Sequence, residues 1–277
     1  MNLEERILNY YEGFDKDDIE EVKDIFNEFI ELLDSGKVRS AKKINGQWKA
    51  NAWVKKGILL GFKIGEVVDM AAGGLSFYDK DTYPAKTFIN NKRRVVPGGT
   101  SLRKGSFIEE GVIVMPPSYV NVGAYVAEGT LLDSNVLVGS CAQVGKNCHI
   151  SAGVQIGGVL EPVNSTPVII EDDVFVGGNS GIYEGVLINA NAVISSGVII
   201  TASTPIYDLV NECVITKNDE GVLEVPENAV VVPGNRPINT NFGKENNLGV
   251  YTPIIIKYRD DQTDVKLSLE EGLRLWF

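Results

Sequence analysis

The sequence predicts a mainly β protein, a parallel β-helix of six-residue repeats with an N-terminal α/β domain and a small C-terminal β extension. Three observations predict it. Every sixth residue is aliphatic over two long stretches, a row of turn-formers runs in step three residues later, and a row of small or β-branched residues runs four residues later.

The aliphatic row begins at Leu102 and continues through Ile108, Val114, Val120, Val126, Leu132, Val138, Val144, Ile150 and Ile156. It slips once and resumes through Ile170, Val176, Ile182, Ile188, Ile194 and Ile200. The turn row reads Gly105, Gly111, Pro117, Gly123, Gly129, Asn135 and Gly153, then Asp173, Asn179, Gly185, Asn191 and Gly197. Apart from the proline, these residues tolerate the left-handed backbone that a corner demands. The row after it reads Ser106, Val112, Ser118, Ala124, Thr130, Val136 and Ala142, small enough to point into a corner. One large aliphatic per side and one small residue per corner make a triangular prism, three hexapeptides per coil, stacked about 4.8 Å apart. An ordinary sandwich would alternate with period two and turn at irregular spacing. The slip from Ile156 to Ile170 is 14 residues long and centred on GGVLEPVNSTPV. Either two residues bulge out of one face or one face is skipped by an eight-residue excursion, and a loop leaving a solenoid usually serves a binding face.

Three domains follow, at 1–95, 96–204 and 205–277. Residues 16–35 place Ile19, Val22, Ile25, Phe26, Phe29, Leu32 and Leu33 at helical spacing, with Gly36 as the stop signal. The stretch 37–95 mixes short apolar runs with glycine turns and reads as the rest of a small α/β domain. After Thr201, VLEVPENAVVVPG and YTPIIIKY read as strands that close one mouth of the prism and protect its edge. Ser268 and Glu271 form a capping box for a short terminal helix.

Composition narrows the function. The 277 residues carry a net charge of −11, which disfavours nucleic acid and anionic membranes as partners. No apolar run is long enough for a signal peptide or membrane span, so a cytoplasmic address is expected. Three cysteines without CxxC spacing and a single histidine argue against a disulfide framework or a His-rich zinc site, and no metal is expected.

Three residues are the chemical candidates. His149 suits the general base of an O-acyltransferase, or simply a wall residue stacked on its neighbours. An amine acceptor needs less, because a free amine attacks a thioester and a carboxylate can then orient it and take its proton. Asp133 and Glu184 are the carboxylates in question. Their hexapeptides fall on different sides of the prism, about 11–13 Å apart along its axis. One prism would hardly gather both, whereas two prisms in a symmetric ring could. Solvated surface acids are the plain alternative.

VGSCAQVGKNCHIS, GGVLEPVNSTPVIIEDDVFVG and the following Tyr-Glu-Gly turn resemble the tetrahydrodipicolinate N-succinyltransferases, as do RRVVPGGTSLRKGSFI, VMPPSYVNVGAYVAEGTLLD and VPENAVVVPGNRP. The resemblance spans residues 93–237. It implies a left-handed prism, a homotrimer with sites between subunits, no permanently bound cofactor, and succinyl transfer from succinyl-CoA to the amino group of ring-opened tetrahydrodipicolinate in lysine biosynthesis. Asp133 and Glu184 match the family's site carboxylates. Arg94, Ser151 and Arg236 are candidates for substrate, and Gly157 with Gly158 for close approach of the CoA arm. GGVLEP with PVIIEDD is shared with the sister N-acetyltransferases, so acetyl-CoA is the alternative donor. One departure stands out: Gly178-Asn179-Ser180-Gly181 replaces Ala-Arg-Ser-Glu, removing a basic and an acidic side chain near Glu184. A non-catalytic assembly prism is the remaining reading.

Overall fold

The computed structural model describes residues 1–87 and 92–259, so the predicted Ser268–Glu271 capping box lies outside the described residues. The repeat forms a left-handed parallel β-helix with three walls. Wall one stacks Arg94–Val95, Ile113–Val114, Leu131–Leu132, His149–Ile150, Phe175–Val176 and Val193–Ile194. Wall two stacks Ser101–Leu102, Tyr119–Val120, Leu137–Val138, Gln155–Ile156, Gly181–Ile182 and Ile199–Ile200. Wall three stacks Phe107–Ile108, Tyr125–Val126, Gln143–Val144, Ile169–Ile170, Val186–Ile188 and Leu223–Val225. In each pair from Leu102 to Ile200 the second residue of the predicted aliphatic row points inward, and those side chains form one continuous buried core.

The corner rows behave as their chemistry requires. Asn135, Asp173, Asn179, Asn191 and the predicted corner glycines all have positive φ. Pro117 does not join them, because its ring fixes φ negative. Cys141 and Asn147 fill the same corner position at φ 68° and 52°. The small row closes each corner by hydrogen bonding. Ser118 Oγ donates to the carbonyls of Met115 and Asp133, and Thr130 Oγ1 donates to that of Gly145.

The slip resolves as an excursion, residues 157–168, eight residues longer than an ordinary corner, between walls two and three. Ile156 lies on wall two and Ile170 on wall three, the next wall in order, so no wall is missed. A second excursion leaves after Ile200, and the ladder then runs on beyond residue 204, with Leu223–Val225 on wall three and Val230–Val231 on wall one. Ala229–Pro237 and Gly249–Tyr258 form a long antiparallel hairpin that extends wall one and covers its last edge.

The N-terminal part contains helices α1 (Leu3–Glu12), α2 (Ile19–Asp34) and α3 (Ala52–Ile64) and an antiparallel pair, Ala41–Ile44 with Gln47–Ala50. Asn2 and Glu5 cap α1 reciprocally. Two glycines inside α3 disguise it as strand-and-turn, and packing explains them. A Cβ at Gly57 would stand 2.8 Å from the Phe29 ring, and one at Gly61 would stand 2.2 Å from that of Phe26. The helices pack on the corner between walls two and three, where Val122 and Cys141 join their core. The hairpin covers wall three. Trp48 Nε1 donates to Glu171 Oε1 at 2.8 Å, Lys43 pairs with the same oxygen at 2.5 Å, and the Arg39 guanidinium lies 3.7 Å over the Tyr125 ring. Burial pushes the Glu171 carboxyl up, but Lys43 and Trp48 outweigh it and hold the group below its ordinary range.

Candidate active site

Two of the three corners carry the candidate chemistry. At the corner between walls one and two, Asp133 follows Leu132 and Ser151 follows Ile150 on the rung above, about 4.8 Å away along the axis. The Asp133 amide donates to the Ile150 carbonyl at 2.9 Å, and the Ser151 amide to that of Val176 at 2.9 Å. Both side chains therefore project from a fully hydrogen-bonded ladder. The Ser134 amide donates to Asp133 Oδ1 at 2.7 Å, which fixes the carboxylate's rotamer. Oδ2 has no partner among the described residues and is the oxygen available to a substrate. Ser118, which the repeat marks only as a small corner residue, locks the turn from beneath by donating to the Asp133 carbonyl at 2.9 Å.

At the corner between walls two and three, Gly157 and Gly158 leave wall two one rung below Tyr183 and Glu184. Glu184 is exposed. A Cβ on Gly157 would lie 3.1 Å from Tyr183 Cα, and one on Gly158 would lie 2.6 Å from the Ser140 amide nitrogen. The glycines thus let the chain's own coils approach closely, a requirement that stands whether or not a CoA arm passes there. Tyr183, which entered the sequence reading only within the Tyr-Glu-Gly turn, accounts for the glycine at 181 in the departing stretch 178–181. A Cβ on Gly181 would meet the Tyr183 ring at 2.5 Å, so the ring occupies the space over that position. Asn179 is a corner residue at φ 57°, and buried Ser180 donates to the Ser195 carbonyl at 3.0 Å.

Asp133 and Glu184 stand at different corners, separated by two coils and one further wall, about 11 Å along the axis. The remaining candidates are further apart. Arg94 starts wall one, and Val230 lies six rungs beyond it, about 29 Å away, with Arg236 further along the same hairpin. One prism unites Asp133 with Ser151, and Glu184 with the glycine pair, but not the two groups with each other. The 370 Å³ cavity beneath the N-terminal hairpin, lined by Arg39, Trp48, Tyr125 and Glu171 among others, holds none of the candidates. His149 lies on the wall between Leu131 and Phe175, its ring centroid 4.9 Å from that of Phe175.

A left-handed prism of six-residue rungs with polar residues at its corners places the chain among the hexapeptide-repeat proteins. Family models match one segment of the N-terminal part and one of the prism. Residues 2–64 match the N-terminal domain of tetrahydrodipicolinate N-succinyltransferase, and residues 167–202 match the hexapeptide repeat of succinyl-transferase. The 2,3,4,5-tetrahydropyridine-2,6-dicarboxylate N-succinyltransferase of Dechloromonas aromatica is 45% identical over 253 residues, 90% of this chain and 88% of its own. That of Polynucleobacter asymbioticus is 44% identical over 92% of this chain and 90% of its own, and that of Idiomarina loihiensis 39% identical over 99% and 98%. The chain belongs to the tetrahydrodipicolinate N-succinyltransferase family.

Proposed function

We propose that the chain transfers a succinyl group from succinyl-CoA to the amino group of ring-opened tetrahydrodipicolinate, the step its relatives are named for in lysine and diaminopimelate biosynthesis. The observation that carries this reading is the likeness over 90% of the chain to a relative with that activity in its name. The corner geometry supplies the roles. The amine nitrogen attacks the thioester carbonyl, the new C–N bond forms as the C–S bond breaks, and CoA leaves as the thiolate. The nitrogen must shed a proton, and a fixed carboxylate beside it is a sufficient acceptor. Asp133, oriented by Ser134, takes that role. Glu184 of a neighbouring prism holds the acceptor amine from the opposite side. Ser151, one rung above Asp133, is within reach of the same substrate, and Arg94 and Arg236 serve its carboxylates or the CoA phosphates.

The assembly is a homotrimer with three such clefts, since a closed ring brings unlike corners of identical chains together. Both substrates are small molecules, and no cofactor is held between turnovers. No helix among the described residues is long and apolar enough to cross a membrane, and Cys141, Cys148 and Cys213 are free. The cytoplasm is the address this reading assigns.

The test is a thiol-release assay with purified protein, tetrahydrodipicolinate and either succinyl-CoA or acetyl-CoA. Rapid release from succinyl-CoA is expected, with acetyl-CoA consumed at least about tenfold more slowly. Preference for acetyl-CoA would move the chain to the sister activity. His149 takes no part in this scheme. His149→Phe, which keeps a ring against Phe175, is expected to retain kcat within about twofold, and a loss beyond about 10²-fold would instead indicate a His general base.

A further inference from the structure

Lys55 is the buried charge that the mechanism leaves unused. It sits in α3, fully inaccessible to solvent, between the N-terminal core and the prism. Its ammonium makes one hydrogen bond among the described residues, to the carbonyl of Ser165 at 2.6 Å, and forms no ion pair there. The nearby thiol of Cys141 is itself buried, and burial pushes that thiol up to about 11, so it stays neutral and offers no countercharge. Desolvation correspondingly lowers the Lys55 pKa. A buried amine with one acceptor is a poor contribution to stability, because an apolar side chain of similar length would pack there without the desolvation penalty.

The partner of that amine explains why a lysine is there. Ser165 lies in the excursion 157–168, which leaves wall two at Gly157–Gly158, directly beneath Tyr183 and Glu184, and returns to wall three at Ile169. Ladder bonds tie its two ends, from the Gly157 amide to the Ile182 carbonyl and from the Gln143 amide to the Val168 carbonyl, Val159 and Val168 are buried in the prism core, and three further contacts hold the excursion. The Val159 amide donates to the Ser140 carbonyl at 3.1 Å, Leu160 packs on the N-terminal core, and Lys55 holds the Ser165 carbonyl. Only the last of these is a polar bond from the N-terminal domain, and it crosses 110 residues of sequence.

We propose that Lys55 is a positioning residue: its ammonium, through the Ser165 carbonyl, fixes the 157–168 excursion beside the Glu184 corner and so shapes the acyl-CoA end of the cleft. This rests on the succinyl transfer proposed above. Lys55→Met keeps the length and apolar stem but removes the donor. It is expected to raise KM for succinyl-CoA about tenfold while kcat changes less than about threefold, with the melting temperature unchanged or raised. Amide hydrogen exchange should quicken across the 157–168 excursion and stay as slow as in the unaltered protein along the prism walls. A Lys55→Met protein with the original KM overturns the proposal. So does one that melts lower and loses kcat and KM only in proportion to unfolded protein. If Lys55→Met does not fold, Leu160→Ala releases the same excursion from its other anchor and should reproduce the KM rise, and an unchanged KM there is equally fatal. Absence of turnover in the unaltered protein would sink the succinyl-transfer reading alone, because the exchange measurement reports the Lys55 hold without any substrate.

Discussion

Asp133→Asn and Glu184→Gln proteins are each expected to lose about 10²–10⁴-fold in kcat, and a reassembled equal mixture of the two to recover about a quarter of the original rate. The recovery follows from the corners. Asp133 stands between walls one and two and Glu184 between walls two and three, offset by two coils and a wall. A cleft between neighbours then takes its aspartate from one chain and its glutamate from the next. In a random mixture half the chains carry an intact Asp133 and the other half an intact Glu184. A cleft with both is therefore formed about one time in four. Each substitution is isosteric and touches no core contact, so both proteins should melt with the original and assemble alike. The decisive comparison is the mixture against a chain carrying both changes. Mixed oligomers, verified by mass, that stay as inactive as the doubly altered chain would place both carboxylates in one chain's own site and remove the inter-subunit cleft.

Ile150→Ala is expected to cost about 2–5 kcal/mol of stability. Ile150 is fully buried and stacks between Leu132 below and Val176 above. Its neighbours on adjacent rungs are tied by parallel ladder hydrogen bonds and cannot collapse into the space, so the cavity term is retained nearly in full. Chemical denaturation should show an earlier midpoint with an unchanged slope. A loss below about 1 kcal/mol would mean that the prism core relaxes freely, against the close packing seen here.

The wall register was legible from the aliphatic row alone, because an inward side chain on every rung is a strict demand of period six. The corner row was nearly as legible, since glycine and asparagine advertise positive φ. Asn147 escaped although its residue type advertises the corner, and Cys141 escaped because cysteine carries no such preference. Its backbone is forced by the rungs on either side. Helix α3 was obscured by Gly57 and Gly61, which lower helix propensity and are there only because the Phe29 and Phe26 rings fill their Cβ space. The site was legible in part. Asp133 drew notice as an acid in place of a corner or small residue and Glu184 as one beside the turn Gly185, and their separation already indicated more than one prism. Their roles came from resemblance, because spacing alone cannot distinguish a reacting carboxylate from a solvated one. Tyr183 entered the sequence reading only as part of the resembling Tyr-Glu-Gly turn, and Lys55 gave no signal. Each acts through a contact fixed by the fold, one with Gly181 of its own rung and the other across 110 residues.

The covering of wall three sets the valence of the whole molecule. The outward residues Tyr125, Gln143, Ile169 and Leu187 are already buried beneath the chain's own N-terminal part, which leaves wall one and the upper rungs of wall two as flanks for a second prism, the lower rungs of wall two being lined by residues 70–85. A face-to-face pair would use one flank of each member and leave the other bare, and a filament would leave bare flanks at its tips. The homotrimer proposed above is a cycle that engages both flanks of every member.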